Sequence, residues 1–366
     1  MNVLFWVQNL LGVGHVVRAG LLAEALLARG NRVTIASGGF DRPDVPGAAI
    51  RPLPPVRATD QTFSTLQTAN GPPNDAFWAQ RTEALLAAHE EAAPDLVLLE
   101  AWPFGRRPFT REVETLLDRT KAQAAVSVRD ILHANRKPGR AEETLHRLAR
   151  VDLVLVHSDP GVARLEHTFP LAPRIACAVE HTGYVAPAGD ARPVGDADVL
   201  VSAGGGAFGG PLMRAAAAAA ALLPDRRFLL LTGPNLANAE REALARDAPP
   251  NCEVLTHVPN LAARMAGARA SVSQAGYNTG VDVLRALAHG TAPVLVPSDV
   301  DGQTEQQERA RRFEAAGRAI VLRESELTPP RLRDAIEEAE RTTFDPAPVR
   351  LDGAARTAEL LERLCA

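Results

Sequence analysis

The sequence has no excess of basic charge, no clustered cysteines and no long hydrophobic run. Its 366 residues carry a formal net charge of −4, which gives no electrostatic reason to expect a nucleic-acid partner. Cys177, Cys252 and Cys365 are widely separated and lack the spacing of a zinc site, which favours reduced thiols. No segment reaches the roughly 18 to 20 apolar residues that span a bilayer. The first residues also lack the basic start of a signal peptide, so we expect a cytoplasmic protein.

The length and the pattern of the chain indicate two α/β domains. A single hydrophobic core rarely grows to this size. Strand-like apolar runs, beginning with residues 3–7, alternate with helical segments such as 16–29, which is typical of a parallel sheet covered on both faces. A stretch rich in Pro and Gly follows Tyr184, and the pattern restarts at residues 199–202. We predict two Rossmann-like, doubly wound domains facing across a cleft, residues 1–188 and 189–366, with a final helix that is free to pack back on the first domain.

The first strand leads into Gly12-Val13-Gly14-His15 at the start of a helix. Glycine allows a ligand to approach the backbone, and a helix N-terminus attracts an anion. A nicotinamide-binding loop would have a third glycine where Val17 stands and an acid where the second strand ends in Ser37, so this cofactor is disfavoured. His15 is a candidate general base for an acceptor hydroxyl. A helix-capping or packing histidine is the alternative interpretation.

The second half contains two further strand-to-helix loops that are suited to a diphosphate. The run from Ser202 to Pro211 contains Gly204, Gly205 and Gly206, whose amides could hold phosphate oxygens. In the run 273–282, Gly276 permits the same close approach, and Asp282 can accept hydrogen bonds from two ribose hydroxyls. A flexible loop and a solvated helix acid are the respective alternatives. The polar run 303–308 could bind the hydroxyls of a sugar.

Charged residues that follow predicted strands of the first half are candidates for an acceptor site or for the base itself. Each of them is equally compatible with a structural salt bridge. The acceptor-side candidates are Glu100, Arg106, Arg107, Arg129, Asp130 and Asp159. Two acid-x-acid triplets, 196–198 and 299–301, lie in a predicted linker and in a loop, so we predict no metal site.

Taken together, these segments resemble glycosyltransferase family 28, which has the GT-B fold, over nearly the whole chain. The most specific part is the run 273–310, followed by residues 313–317. Within this superfamily the chain is most similar to a group of bacterial predicted glycosyltransferases, through runs such as 11–15, 127–130 and 274–279.

The resemblance implies an inverting, metal-independent transfer of a hexose or N-acetylhexosamine from a UDP-sugar to a hydroxyl of an unidentified acceptor. His15 stands where the family has its glycine-loop histidine, and Asp282 where it has a ribose-binding glutamate. Glu305 and Gln306 fall on a Gln-Gln pair that binds the donor sugar, so Glu305 departs from the pattern. The implied donor-binding residues are Gly14, Gly204, Gly205, Gly206, His257, Val258, Gly276, Tyr277, Asn278, Thr279, Asp282, Glu305 and Gln306.

No cofactor is expected beyond the UDP-sugar itself. The implied partners are that donor and a small-molecule or lipid-linked acceptor, with peripheral contact at the inner face of a membrane left open. Two alternatives remain at this stage. A UDP-sugar 2-epimerase would use the same fold and donor without an acceptor, and a non-catalytic protein would only bind the nucleotide-sugar.

Overall fold

The computed structural model describes residues 1–10, 14–59, 65–133, 138–189, 192–204, 209–299, 304–345 and 347–366. The chain divides into two compact units, Met1–Pro187 together with Arg350–Ala366, and Ala188–Val349. The predicted glycines Gly205 and Gly206, like Gly12 and Asp301, lie outside the described residues.

The first unit is built on a seven-stranded parallel sheet in the order β3-β2-β1-β6-β7-β8-β9, with a separate antiparallel pair β4-β5. Its elements are β1 (Asn2–Val7), α1 (Gly14–Ala28), β2 (Arg32–Ser37), β3 (Ala49–Pro52), β4 (Arg57–Ala58), β5 (Leu66–Gln67), α2 (Asp75–Ala92), β6 (Leu96–Glu100), α3 (Thr110–Arg119), β7 (Gln123–Arg129), α4 (Arg140–Leu148), β8 (Leu153–His157) and β9 (Ala178–His181).

The second unit has a six-stranded parallel sheet in the order β12-β11-β10-β13-β14-β15. Its elements are β10 (Val199–Ser202), α5 (Gly210–Ala221), β11 (Phe228–Leu231), α6 (Asn238–Asp247), β12 (Cys252–Leu255), α7 (Leu261–Gly267), β13 (Ala270–Ser273), α8 (Tyr277–Leu287), β14 (Ala292–Leu295), α9 (Thr304–Ala315), β15 (Ile320–Val321) and α10 (Pro329–Arg341). Helix α11 (Gly353–Cys365) follows and lies in the first unit.

The sheet of the first unit is covered on both faces, which explains the unbroken apolar run of β1. Alternate side chains of a strand point to opposite faces. Leu4 and Trp6 join the core that is closed by α2 and α3, whereas Val3 and Phe5 join the core beneath α1 and α11. The parallel α/β architecture predicted from the sequence is confirmed. The edge strands β3 and β9 were not predicted, because their half-exposed residues lack a continuous apolar run.

The last helix, α11, packs against α1. The segment before α11 is hydrogen-bonded to Tyr184, near the point where the chain first leaves the first unit. The Tyr184 amide donates to the Arg350 carbonyl at 2.8 Å, and the Gly353 amide donates to the Tyr184 carbonyl at 3.0 Å. Among the described residues, no helix is long and apolar enough to cross a membrane.

Candidate active site

The carboxyl ends of β1 and β6 bring a histidine and a glutamate together in the first unit. The two strands are neighbours in the sheet, His15 is the second residue of α1, and Glu100 is the last residue of β6. His15 Nδ1 lies 2.6 Å from Glu100 Oε1, with side-chain exposures of 16% and 1%. The imidazole therefore keeps one open side while the carboxylate behind it is sealed from water.

Two arginines surround the same carboxylate. Arg18, one helical turn after His15, donates to Glu100 Oε1 and is buried, and Arg106 Nε lies 3.8 Å from Glu100 Oε2. Burial alone would raise the pKa of Glu100, but His15, Arg18 and Arg106 together hold it well below its ordinary value. The carboxylate is thus ionised at neutral pH.

The surroundings also fix the protonation state of His15. The pKa of His15 is lowered to about 3, mainly by burial, with Glu100 opposing this shift and Arg106 and Arg18 adding to it. The ring is therefore neutral at pH 7. Because an ionised carboxylate can only accept hydrogen bonds, Nδ1 carries the proton and donates to Glu100. The lone pair is then on Nε2, which is the atom that can accept a proton from a substrate.

The loop after β6 holds Glu100 and Arg106 in place with an unusual backbone. Ala101 has φ 62° and Arg106 has φ 60°, and both values lie in the left-handed region that non-glycine residues adopt only at a cost. Such costs of roughly 1–3 kcal/mol concentrate at functional sites.

Of the six acceptor-side candidates, two lie beside His15, namely Glu100 and Arg106, and the other four have different contacts. Arg107 contacts α4 instead, with its guanidinium 3.3 Å from Glu143 Oε2. Asp159 accepts the Arg350 amide at 2.9 Å and so ties the end of β8 to the segment that re-enters the first unit.

The other two candidates lie at the end of β7. Arg129 is half-buried as the last residue of this strand. Asp130 is buried, and its carboxylate accepts the Ile131 amide at 2.7 Å.

The sequence interpretation missed Arg18. It also missed a buried row of hydrogen-bonded polar side chains beside the His15–Glu100 pair. An arginine on the apolar face of α1, three residues after a candidate base, was the available signal. His157 bridges Ser127 Oγ at 2.7 Å and Thr182 Oγ1 at 2.9 Å, and burial lowers its pKa to about 3, with Arg18 adding to this effect. Ser127 lies opposite Glu100 on the neighbouring strand. These polar side chains therefore support the end of β6 that carries Glu100.

A fully buried arginine fixes the loops after β1, β2 and β3. Arg81 of α2 donates to Gln8 Oε1 at 2.6 Å, to the Gly38 carbonyl at 3.2 Å and to the Pro54 carbonyl at 2.6 Å. Its charge is balanced by Glu112 at 2.6 Å. A Cβ on Gly38 would stand 2.1 Å from the Arg81 guanidinium, so only glycine fits there.

In the second unit, the residues that follow β10 and β11 and the first turn of α8 lie close together. Gly204 follows β10 with φ +67°, and a Cβ on it would lie 3.0 Å from Thr279 Oγ1 in the first turn of α8. The carbonyl of Gly204 would be 2.4 Å from a Cβ on Gly233, which follows β11. The start of the glycine-rich run therefore lies against the N-terminus of α8. The backbone amides of that first turn lie at the helix N-terminus, which is suited to an anion.

Helix α9 holds the peptide that precedes α8. Gln306 Oε1 accepts the Ala275 amide at 3.2 Å and the Ser298 amide at 3.3 Å. Arg309, which is buried, donates to the Ala275 carbonyl at 2.6 Å. Gln306 thus uses its carbonyl oxygen to join two loops, and its amide nitrogen remains the group suited to a sugar hydroxyl.

Asp282 and Asn278 share one half-buried face of α8, because they are four residues apart. Burial raises the pKa of Asp282 to about 6, and Arg285 opposes the shift. A carboxylate partly removed from water in this way gains from hydroxyl donors that restore its lost hydrogen bonds.

We expect Asp282→Asn to stabilise the free protein at neutral pH and to weaken nucleotide binding. The folded-state pKa of about 6 exceeds the ordinary 3.8, so the penalty is complete above pH 6 and disappears as the pH falls to about 4. For a half-buried group we expect a gain of about 1–2 kcal/mol at pH 7.5. Urea unfolding at pH 7.5 and pH 4 measures it, with Asp247→Asn on the exposed face of α6 as control. An equal gain at both pH values would contradict the prediction.

The remaining predicted donor residues differ in exposure. Tyr277 is buried, with the Arg309 guanidinium 5.9 Å from its ring centroid, so its side chain is part of the packing. Glu305 is buried at the start of α9. His257 is exposed and Val258 is half-buried in the loop after β12.

The three triplet acids in the described part of the chain are used in local contacts. Asp196 pairs with Arg264, Asp198 accepts the Arg227 amide at 2.9 Å, and Asp299 accepts the Ser325 amide at 2.9 Å. Within the described residues, no three His, Cys, Asp or Glu side chains stand close enough to hold a metal ion.

Comparison with known proteins connects this geometry to one class of enzyme. Residues 199–356 match the glycosyltransferase family 28 C-terminal domain. The chain is 29% identical over 349 residues to the UDP-N-acetylglucosamine–N-acetylmuramyl-(pentapeptide) pyrophosphoryl-undecaprenol N-acetylglucosamine transferase of Phenylobacterium zucineum (strain HLK1), covering 89% of this chain and 86% of that relative. It is 34% identical over 89 residues to the transferase of the same name from Thermotoga neapolitana, covering 24% of this chain and 25% of the relative.

Solved glycosyltransferases share the fold along the whole chain. The glycosyltransferase of kitacinnamycin superposes with a TM-score of 0.66 at 20% identity, covering 100% of this chain and 99% of the other. MurG of Acinetobacter baumannii gives a TM-score of 0.61 at 16% identity, covering 99% and 100%. The protein is a glycosyltransferase with the GT-B fold. The match of residues 199–356 to the family 28 C-terminal domain confirms, for this part of the chain, the resemblance predicted from the sequence.

Proposed function

We propose that this enzyme transfers a hexose or N-acetylhexosamine from a UDP-sugar to an acceptor hydroxyl, with inversion at the anomeric carbon and without a metal ion. The observation that carries the proposal is the 2.6 Å contact between His15 Nδ1 and Glu100 Oε1. A neutral imidazole held by an ionised carboxylate is the arrangement of a general base whose free nitrogen faces a substrate.

His15 Nε2 takes the proton from the acceptor hydroxyl as the oxygen attacks the anomeric carbon. The bond from that carbon to the diphosphate oxygen breaks, and its electron pair leaves with UDP. The imidazolium that forms lies beside the Glu100 carboxylate, which stabilises it. One displacement from the face opposite the leaving group inverts the configuration, so no covalent intermediate is required.

The second unit supplies groups suited to the donor. The first-turn amides of α8, next to the Gly204 loop, would bind the diphosphate and stabilise the charge that develops as it leaves. Asp282 would accept hydrogen bonds from the ribose, and the Gln306 amide nitrogen would donate to the sugar. This main-chain binding of phosphate is why we propose no metal and no cofactor. Uridine as the base rests on the donor named for the Phenylobacterium relative.

The acceptor is proposed only as a hydroxyl compound. The Phenylobacterium relative is named for a pyrophosphoryl-undecaprenol acceptor, and a lipid-linked acceptor would bring this enzyme to the inner face of a membrane. A small-molecule acceptor would not require that contact.

The test of the proposed function is a ligand panel followed by product analysis. The melting temperature is measured with UDP-, GDP- and TDP-sugars, with and without EDTA, because a ligand that binds the native state raises it. We expect stabilisation by UDP-sugars that EDTA leaves unchanged, and weaker stabilisation in Asp282→Asn. Stabilisation only by another nucleotide, or only with a divalent ion, would refute the respective part of the proposal.

Product analysis separates transfer from the two alternatives. In the absence of acceptor we expect slow release of a sugar whose first-formed anomer, observed by NMR, is inverted relative to the donor. A new epimer of the UDP-sugar would instead support an epimerase. Binding without any turnover, even with a broad panel of acceptors, would support a non-catalytic binding protein.

A further inference from the structure

Arg18 competes with His15 for the same carboxylate oxygen. Arg18 Nη2 donates to Glu100 Oε1 and lies 3.3 Å from His15 Nδ1, which also contacts Oε1. Arg18 is 2% exposed. A buried, permanently charged guanidinium is therefore fixed next to the imidazole ring.

The charges around His15 differ from those of a simple histidine–carboxylate pair. Glu100 contributes one negative charge from β6, while Arg18 from α1 and Arg106 from the loop after β6 contribute two positive charges. His157 of β8 is a further titratable group near this cluster, and burial keeps it neutral. Burial is the main effect that disfavours an added proton on His15, and the charges of Arg106 and Arg18 add to it while Glu100 opposes it.

We infer that Arg18 is a positioning residue that, through Glu100, keeps His15 in its proton-accepting form at acidic pH. Arg18 holds the carboxylate ionised and oriented toward Nδ1, and its charge adds to the effects of burial and Arg106 that disfavour a protonated ring. The consequence is an enzyme whose base is not lost as the pH falls toward 5. This inference deepens the proposed function and rests on it for the role of His15.

The first experiment measures His15 directly, without any assay of turnover. The Cε1–H resonances of the nine histidines are followed from pH 8 down to the lowest pH at which the full-length protein stays folded, and His15→Gln identifies the His15 signal. We expect His15 to remain neutral down to about pH 5. A His15 midpoint near 6.5 would overturn the inference, whatever the enzyme is later found to transfer.

The second experiment changes the neighbouring charge. Arg18→Met should raise the His15 midpoint by about half a pH unit, since it removes one of the two positive charges beside the ring while Arg106 stays near Glu100. Arg18→Lys should keep it close to the parent value. The acidic limb of kcat/KM should move in parallel in Arg18→Met, whereas a merely structural role would lower activity at all pH values without moving that limb.

The outcomes distinguish the inference from the proposed function. If Arg18→Met does not fold, the titration of the parent protein and of Arg18→Lys still decides the inference. An unmoved His15 midpoint in folded Arg18→Met overturns it even if UDP-sugars bind. A low midpoint that rises in Arg18→Met, in a protein that binds no nucleotide-sugar, supports the charge effect and refutes the transferase role.

Discussion

Replacement of His15 with alanine is expected to lower kcat for sugar transfer by a factor of about 10²–10⁴, the usual contribution of a general base. The Kd for the UDP-sugar should change by less than about twofold, because the implied donor-binding residues other than Gly14, whose contribution would come from its backbone, lie in the second unit. Steady-state kinetics and isothermal titration measure the two quantities. His146→Ala, at an exposed position of α4, is the matched control and should retain full activity.

Glu100→Gln provides a second view of the same pair. The amide can place its NH₂ group against Nδ1 and so favour the wrong tautomer, and we expect kcat to fall by about 10²-fold or more. The change also removes the counter-charge of Arg18, and breaking a buried ion pair costs roughly 3–5 kcal/mol. Activity therefore has to be compared at a temperature where both proteins are folded. Full activity in a folded Glu100→Gln protein would show that the carboxylate does not orient the base.

The largest effect on stability is expected at Arg81. Arg81→Ala removes hydrogen bonds to the side chain of Gln8 and to the carbonyls of Gly38 and Pro54. It also leaves Glu112 buried without its cation. Removal of one partner of a buried pair destabilises by roughly 3–5 kcal/mol, because the remaining charge has lost its compensation.

Urea unfolding of Arg81→Ala measures this loss, read from the transition that reports the first unit. Arg111→Ala, exposed on α3 next to Glu112, is the control and should change the free energy of unfolding by less than about 0.5 kcal/mol. The double variant Arg81→Met with Glu112→Met should cost less than the sum of the single variants, since neither charge is then left alone. A cost for Arg81→Ala as small as that of Arg111→Ala would show that the pair does not hold the loops.

The sequence predicted those parts of the site that depend on local pattern. The position of His15 after a strand and at the start of a helix predicted a residue at the carboxyl edge of the sheet. The same reasoning predicts Gly276 at a strand-to-helix junction and Asp282 within the first turns of the helix, and the structure has them at the N-cap and in the second turn of α8. These features follow from apolar runs and glycines that are adjacent in the chain.

The partners of these residues could not be predicted, because contacts between distant segments leave no local pattern. Glu100 stood among six equivalent acids and arginines until the pairing of β1 with β6 brought it to His15. Asp159 matched the same pattern, yet it holds the Arg350 segment. Gln306 was predicted to bind the donor sugar, and its side-chain oxygen accepts hydrogen bonds from two loops.

By itself the sequence determined the α/β fold, because periodic apolar runs and glycine loops are visible in consecutive residues, and its resemblance to a known family indicated the class of enzyme. Only the tertiary structure decided which charges meet. The acidity of His15 depends on Glu100, Arg18 and Arg106, which are brought together by sheet order and helix packing. Since electrostatic energies depend on distance and burial more than on residue type, they can be read only after the chain has folded.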